Sequence, residues 1–381
     1  MNRFAALLIF CLFGFSSNAQ LARKAQLGVR MEFVKEQDFQ GCKVLEVRGG
    51  TAAQLKLNEN DVFTKIGDSV FYSDAEFLKF FNSYQPGTEL KMTIRRGAKT
   101  LSLKGLVMPR PFETDDNADV IYDEAPYKGG KLRVIINKPF KKEAMPAMLF
   151  IPGYTCNSID ALKDDHPYKR IINAYVDAGY VTLRIEKSGL GDSKNTPPCE
   201  SCNLTDEIEN FEAGLLKLKS LPYVDTNKII IYGHSMGGIV APALSSKHSV
   251  AGVIVFGTTA KSWFEYQLEM YRVQNALAGM NPLEVELSVI DQYDLNYRFY
   301  VQKERLEDMA KDPRSDSVLR NVWGYDGNGK IYDRNAEYWR QIQDFPHLRN
   351  WKNTSAKVMV QFGESGFQAF SKADHQQIVQ T

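Results

Sequence analysis

The chemistry in this chain starts from one serine. In IYGHSMGG, Ile231 to Gly238, an isoleucine-rich run ends in Gly233-His234-Ser235-Met236-Gly237, and small residues follow. This is G-x-S-x-G between a strand and a helix, the pattern that lifts a serine hydroxyl onto a sharp turn. A serine so placed attacks a carbonyl carbon, and it needs two kinds of help. Backbone N–H groups must meet the charge that forms on the carbonyl oxygen. A base must take the hydroxyl proton. The histidines are His166, His234, His248, His347 and His375. His234 is fixed beside Ser235 by the turn and cannot fold back onto it. His166 falls in a loop, and His375, within SKADHQQIV, reads as a surface histidine on a helix.

The elements that must position Ser235 begin near Val120. Strand-like runs (LRVIINKP, AMLFIPG, YVTLRIEKSG, KIIIYGHS, AGVIVFGT, AKVMVQFGE) alternate with helical patterns. Near-continuous apolar runs suit central strands covered on both faces, and the alternation implies a mostly parallel, doubly wound α/β sheet. The helix in DEIENFEAGLLKLKSL is expected to start from a cap at Thr205, with Ile208, Phe211, Leu215 and Leu218 at helical spacing. Residues 25–108 read differently, as short alternating strands around one helix, SDAEFLKFFNSY, capped by Ser73. Between the two regions PRPFETDDNADV, with two prolines and a run of acids, reads as an exposed linker over residues 109–119.

The N-terminus, MNRFAALLIFCLFGFSSNAQ, has a basic start, an apolar run and small residues before Gln20. It reads as a signal peptide over residues 1–19, which makes the protein exported, periplasmic or extracellular. The run is shorter than the ~20 residues that span a bilayer, and no later run is long enough, so a membrane-spanning protein is not expected. With 24% charged residues and a net charge of +1, the chain lacks the basic imprint of a nucleic-acid partner. Cys42, Cys156, Cys199 and Cys202 follow the leader, where disulfides are permitted. Cys42 reads as a buried free thiol. Cys199-x-x-Cys202 lacks a second ligand pair for zinc, so no metal and no cofactor are expected.

Residues 25–108 resemble a PDZ domain of the bacterial kind, through Leu27-Gly28-Val29, VLEVRGGTAAQLKLNENDVFTKIGD and GTELKMTIRRG. The resemblance implies that Leu27, Gly28, Val29 and Arg30 form a loop for the carboxylate of a C-terminal peptide ligand. Residues 120–381 resemble the α/β-hydrolases, with GYTCNSID, EKSGLGDS and GHSMGGIVAPAL pointing to the secreted dienelactone-hydrolase and acyl-peptidase-like branch. That resemblance implies oxyanion amides at Tyr154 and Met236. It also implies a helical cap over residues 262–353 whose aromatics line the substrate pocket, Trp263, Phe264 and Tyr271 among them or else in the cap's own core. The loops carrying Cys156 and Cys199/Cys202 should then emerge together, which allows a disulfide from Cys156 to either. The family's acid would fall at Gly366, with Glu364 two positions early, and its histidine would follow an eighth strand. The chain reaches Thr381 within the helix after the seventh strand. The expectation is therefore an exported serine hydrolase, esterase or peptidase in type. It would act on a small-molecule ester, thioester or amide through an acyl-Ser235 intermediate. It is impaired as written, either because the domain is C-terminally incomplete or because the triad is lost. The alternative is a non-catalytic peptide-binding protein that uses the PDZ groove and a degenerate pocket.

Overall fold

Two sheets form where the two sequence patterns change. The computed structural model describes residues 21–363 and 371–381, so the leader read in residues 1–19 lies outside the described residues. The first sheet comprises β1 (Val29–Lys35), β2 (Gln40–Val47), β3 (Val62–Ile66), β4 (Ser69–Val70), β5 (Glu89–Arg96) and β6 (Lys99–Leu106). The main path runs β1-β2-β3-β5-β6, antiparallel throughout, with β1 at one margin. A short helix, α1 (Gly50–Gln54), follows β2. The helix α2 (Asp74–Phe81) packs on β1 and β2 and buries Phe77 and Phe81. Ser73 caps it, its side chain accepting from the Glu76 N–H. Gly28 has φ +80°, and a Cβ there would lie 2.1 Å from the Gly49 oxygen. Only glycine fits that crossing.

The second sheet has the order β15-β12-β11-β9-β10-β8-β7. Its strands are β7 (Ala118–Tyr127), β8 (Gly130–Pro139), β9 (Met145–Ile151), β10 (Val181–Ile185), β11 (Val224–His234), β12 (Gly252–Phe256) and β15 (Lys357–Gln361). Only β8 runs against the others. Apolar residues in β9 and β10 are buried on both faces, as continuous apolar runs require. The helix α3 (Pro167–Asp177) packs its Tyr168, Ile171 and Tyr175 over Met148, Phe150 and Tyr232. On the opposite face α4 (Leu204–Lys219) and the wholly buried α5 (Gly237–Ser245) join Leu149, Ile151 and Ile231. The α4 cap is Asn203 rather than the expected Thr205. Asn203 and Asp206 exchange side-chain-to-backbone bonds as a capping box, which Thr205 stands too late in the chain to make. The helix α12 (Lys372–Gln380) lies against β15.

Between β12 and β15 come α6 (Trp263–Leu277), α7 (Pro282–Asn296), α8 (Leu306–Met309), α9 (Pro313–Asn321), the hairpin β13 (Lys330–Ile331) and β14 (Arg334–Asn335), α10 (Ala336–Asp344) and α11 (His347–Asn353). The aromatics of this insertion mostly face one another as its own core, one of the two roles left open for them, though Trp263 also borders a space beside Ser235. Trp263, Trp323 and Trp339 are buried. Each indole N–H is bonded inside the cap, to Tyr300 Oη, Gln292 Oε1 and the Ile331 carbonyl respectively. A buried indole needs such a partner, and satisfying it locally leaves the ring as core.

The segment read as an exposed linker is instead anchored. The Glu113 side chain is nearly covered and accepts from Arg184 at 3.0 and 2.9 Å and from Lys169 at 2.8 Å. The strand β7 already starts at Ala118. The chain just before the small domain is anchored too. Arg23 is buried and donates to Asp160 at 2.6 Å and to Asp192, while Arg110 donates to Ser158. Ala25 and Pro109 are bridged, so the small domain enters and leaves at one place.

Candidate active site

The turn after β11 sets Ser235 at φ +54°, a left-handed conformation uncommon for a residue with a side chain. The Ser235 N–H donates to the Phe256 carbonyl at 2.9 Å, which ties the turn to the end of β12. Helix α5 starts two residues later. At Gly237 an added Cβ would lie 2.3 Å from the Ile151 oxygen, and at Gly233 it would lie 2.3 Å from the Gly237 oxygen. These glycines let the helix start close against β9, beside the loop that follows it. Met236, the N-cap of α5, belongs to the same turn. Gly153 lies against the serine, since a Cβ built on it would be 3.4 Å from Ser235 Cβ and 3.6 Å from Oγ.

The orientation of the Gly153–Tyr154 peptide is set from behind. Lys187 Nζ donates to the Gly153 carbonyl at 2.6 Å. In a trans peptide the C=O and the following N–H point in opposite directions. Holding the carbonyl on Lys187 therefore turns the Tyr154 N–H away from Lys187. Lys187 in turn pairs with Glu207 at 3.0 Å. Arg334, from β14, bonds Glu207 and the Tyr154 carbonyl, both at 2.7 Å. All three charged side chains are almost fully buried. Burial lowers the Lys187 pKa to about 8 against the opposing pull of Glu207. This network joins the Gly153–Tyr154 loop, α4 and the insertion in one charge-paired unit. The sequence reading missed it. The only local sign was a lysine at the end of the apolar run YVTLRIEKSG. Nothing local pairs it with an arginine far along the chain.

Cys156 is disulfide-bonded to Cys199, while Cys202 and Cys42 are free and buried. Of the two pairings left open, the bond goes to the nearer cysteine in sequence. The bridge closes a separation of 43 residues, for which the chain-entropy relation gives about 4 kcal/mol. Non-reducing peptide mapping of oxidised protein is expected to recover the Cys156–Cys199 peptide pair with Cys202 alkylated. Reduction is expected to lower the unfolding midpoint.

Among the described residues, no side chain hydrogen-bonds Ser235 Oγ, and each histidine is bonded elsewhere. His166 caps α3 by accepting from the Tyr168 N–H. His234 Nδ1 meets Tyr168 Oη at 2.8 Å, and His248 meets Glu212. His347 is bonded to the Ile342 carbonyl. His375 is the correction: it is buried rather than on the surface, packed against Phe362, with Nδ1 at 2.7 Å from the Ser371 carbonyl. Its neighbour Asp374 is buried as well and accepts from Thr259 at 3.3 Å. Thr259 lines, with Ser235, a space of only about 10 Å³ beneath Trp263 and Tyr266. An acid therefore does reach the loop after β12, but from α12, where no local pattern announces it. Gly366 and Glu364, the positions weighed for the triad acid, lie outside the described residues. Leu27, Gly28, Val29 and Arg30 form the entry to β1, whose outer edge is unpaired among the described residues.

A strand-order of this kind, with a left-handed serine between a central strand and a buried helix, defines an α/β-hydrolase fold with a serine-hydrolase turn. Residues 166–335 match the family described as serine aminopeptidase, S33. That segment includes the Ser235 turn and most of the insertion, but neither the Gly153–Tyr154 loop nor β15. No curated protein matches the chain. Among solved structures, a hypothetical protein from Pseudomonas aeruginosa is 14% identical over 70% of this chain and 83% of its own, with a TM-score of 0.44. Est1E from Butyrivibrio proteoclasticus with bound ferulic acid is 15% identical over 67% and 83%, with a TM-score of 0.42. A Pyrococcus furiosus esterase is 14% identical over 71% and 81%, with a TM-score of 0.43. No described helix is long and apolar enough to cross a membrane.

Proposed function

We propose that this is an exported serine hydrolase that forms an acyl-Ser235 intermediate from an ester, thioester or amide, and that the chain as written is impaired. The observation that carries the reading is the left-handed Ser235 against a Gly153–Tyr154 peptide whose carbonyl is held away by a buried lysine. In the proposed reaction Ser235 Oγ attacks the carbonyl carbon, its proton leaving to a base. The resulting oxyanion is met by the amides of Tyr154 and Met236. Collapse expels the alcohol, thiol or amine, and water then releases the acid. The aminopeptidase description of the matched family supports amides within the range. Impairment is supported by the lack of any hydrogen-bonded base at Ser235 among the described residues.

The small domain is proposed to take a peptide C-terminus by strand addition. The edge of β1 beside α2, unpaired among the described residues, supports this. It would also be the working site if Ser235 is inert.

A fluorophosphonate probe tests the catalytic reading, with Ser235→Ala as background. Slow labelling confined to Ser235 is expected, together with p-nitrophenyl ester hydrolysis far below ordinary enzymatic rates. Fast turnover abolished by Ser235→Ala would overturn the impairment, and His375→Ala and His166→Ala would then locate the base. Complete absence of Ser235-dependent labelling would overturn the hydrolase reading itself.

A further inference from the structure

The open space near Ser235 is not under the cap. It is a cavity of about 460 Å³ on the other side of the turn, between α3 and the loop after β9. Pro152, His234 and Phe256 place it against the reacting residue. The first precedes Gly153, the second precedes Ser235, and the carbonyl of the third holds the Ser235 N–H. Ile159, Leu162 and Ile171 supply its aliphatic wall, and none of its lining residues is a carboxylate, lysine or arginine. The rings of His234 and Phe256 lie nearly parallel at 5.7 Å, and Tyr168 stands edge-on to His234 at 5.4 Å.

The hydrogen bonds point to Nε2 as the nitrogen of His234 that carries its proton. The Gly153 N–H, which can only donate, points to Tyr168 Oη at 3.4 Å. The phenol therefore accepts there and has its one proton free for His234 Nδ1 at 2.8 Å. Burial lowers the His234 pKa, which keeps the ring neutral near pH 7. A neutral imidazole that accepts at Nδ1 carries its proton on Nε2. No described residue accepts from that Nε2–H. The cavity thus combines flat and branched apolar walls with an uncharged donor beside the scissile position, while Thr155, Asn157, Ser158 and His166 line its polar side.

Building on the hydrolase reading, we infer that this cavity is the subsite for a neutral, aromatic or branched apolar group bearing one hydrogen-bond acceptor. Tyr168 determines specificity there by fixing His234 as an Nε2–H donor. Groups carrying a carboxylate or an ammonium bind less well, since the lining holds hydroxyl, amide and imidazole groups but no carboxylate, lysine or arginine to pair their charge. An acceptor at the right place gains a bond worth about fivefold to tenfold in affinity.

The test is run in full-length Ser235→Ala protein, so that it does not depend on turnover. The probes are benzylacetone, a neutral aryl ketone, and 4-phenylbutanoate, its charged counterpart of similar size. Titration calorimetry is expected to show binding of the ketone and at least tenfold weaker binding of the acid. Leu162→Trp, which fills the cavity from its half-exposed wall, should abolish ketone binding. Tyr168→Phe should weaken it about fivefold to tenfold. Nitrogen-15 spectra of the imidazoles should show His234 protonated at Nε2, with the tautomer bias lost in Tyr168→Phe. Unchanged ketone binding in Leu162→Trp, a proton on Nδ1, or tighter binding of the carboxylate would each overturn the proposal. Failure of Ser235 to react with a fluorophosphonate would overturn the hydrolase reading and leave these binding results to stand or fall separately.

Discussion

Lys187→Met is expected to lower the Ser235-dependent release of p-nitrophenolate from p-nitrophenyl acetate by about tenfold to a hundredfold, with little change in KM. Deleting an oxyanion donor outright typically costs 10²–10³-fold. Lys187 donates nothing to substrate. It holds the Gly153 carbonyl at 2.6 Å, and through the rigid peptide plane it aims the Tyr154 N–H. Its loss is therefore a loss of aim, smaller than loss of the donor. The effect matters more in a chain whose serine has no hydrogen-bonded base among the described residues. When triad members are removed from a serine protease, the catalysis that remains comes from the oxyanion hole and binding. Lys187→Gln separates donation from charge, because its amide can still reach the carbonyl as a donor. It is expected to keep most of the rate that Met loses. Equal losses in the two variants, with unchanged unfolding midpoints, would show that the charge rather than the hydrogen bond is what counts.

The second large effect is on stability. Glu113→Ala removes the carboxylate that Arg184 and Lys169 share and leaves two buried cations without it. Breaking a buried pair from one side typically costs about 3–5 kcal/mol, which urea unfolding would read as a lower midpoint at unchanged slope. The same group gives a pH signature. Burial alone would raise the Glu113 pKa. The charge and hydrogen bond of Arg184, followed by those of Lys169, outweigh it and bring the pKa down to about 2. A lowered carboxyl pKa stabilises the folded state above its unfolded value, near 4.3, and that contribution is lost as pH falls toward 2. The shift corresponds to about 3 kcal/mol in order of magnitude. Wild-type protein should therefore lose stability steeply between about pH 4 and 2, and Glu113→Gln should flatten that part of the profile. A profile of the same steepness in both proteins would remove Glu113 from the account.

What the sequence made legible follows the range over which its signals act. Apolar runs and the G-x-S-x-G turn are local, so the central strands, Ser235 and Met236 could be placed from a few consecutive residues. The cap of α2 at Ser73 is local in the same way. The α4 cap was missed by two residues because Thr205 and Asn203 are both good caps, and only the return bond from Asp206 separates them. Charge pairing across the chain leaves no such trace. Glu113 sits in an acid-rich, proline-containing stretch that reads as solvated. Its partners Lys169 and Arg184 belong to α3 and β10, and only the fold brings them to it. Arg334 and Lys187 meet for the same reason. Nothing local marks Tyr168, whose hydroxyl the fold sets between Gly153 and His234. His375 was misread because SKADHQQIV is mostly polar, yet the helix turns that residue inward against Phe362.

A module joined to its neighbour by a single flexible linker can be exchanged like a cassette. The small domain here cannot. Arg23 lies before it and Arg110 after it, and both reach the same acidic group around Asp160 on the second domain. Asp160 and Asp192 are fully covered, so a replacement that reached past residues 25–108 would have to bring its own Arg23 and Arg110, in register across the Ala25–Pro109 bridge. A chimera that swapped only residues 25–108 would keep both arginines and could preserve the joint. One cut at the more obvious boundary, after the prolines, would take both tethers with the departing domain and leave two buried carboxylates facing the join.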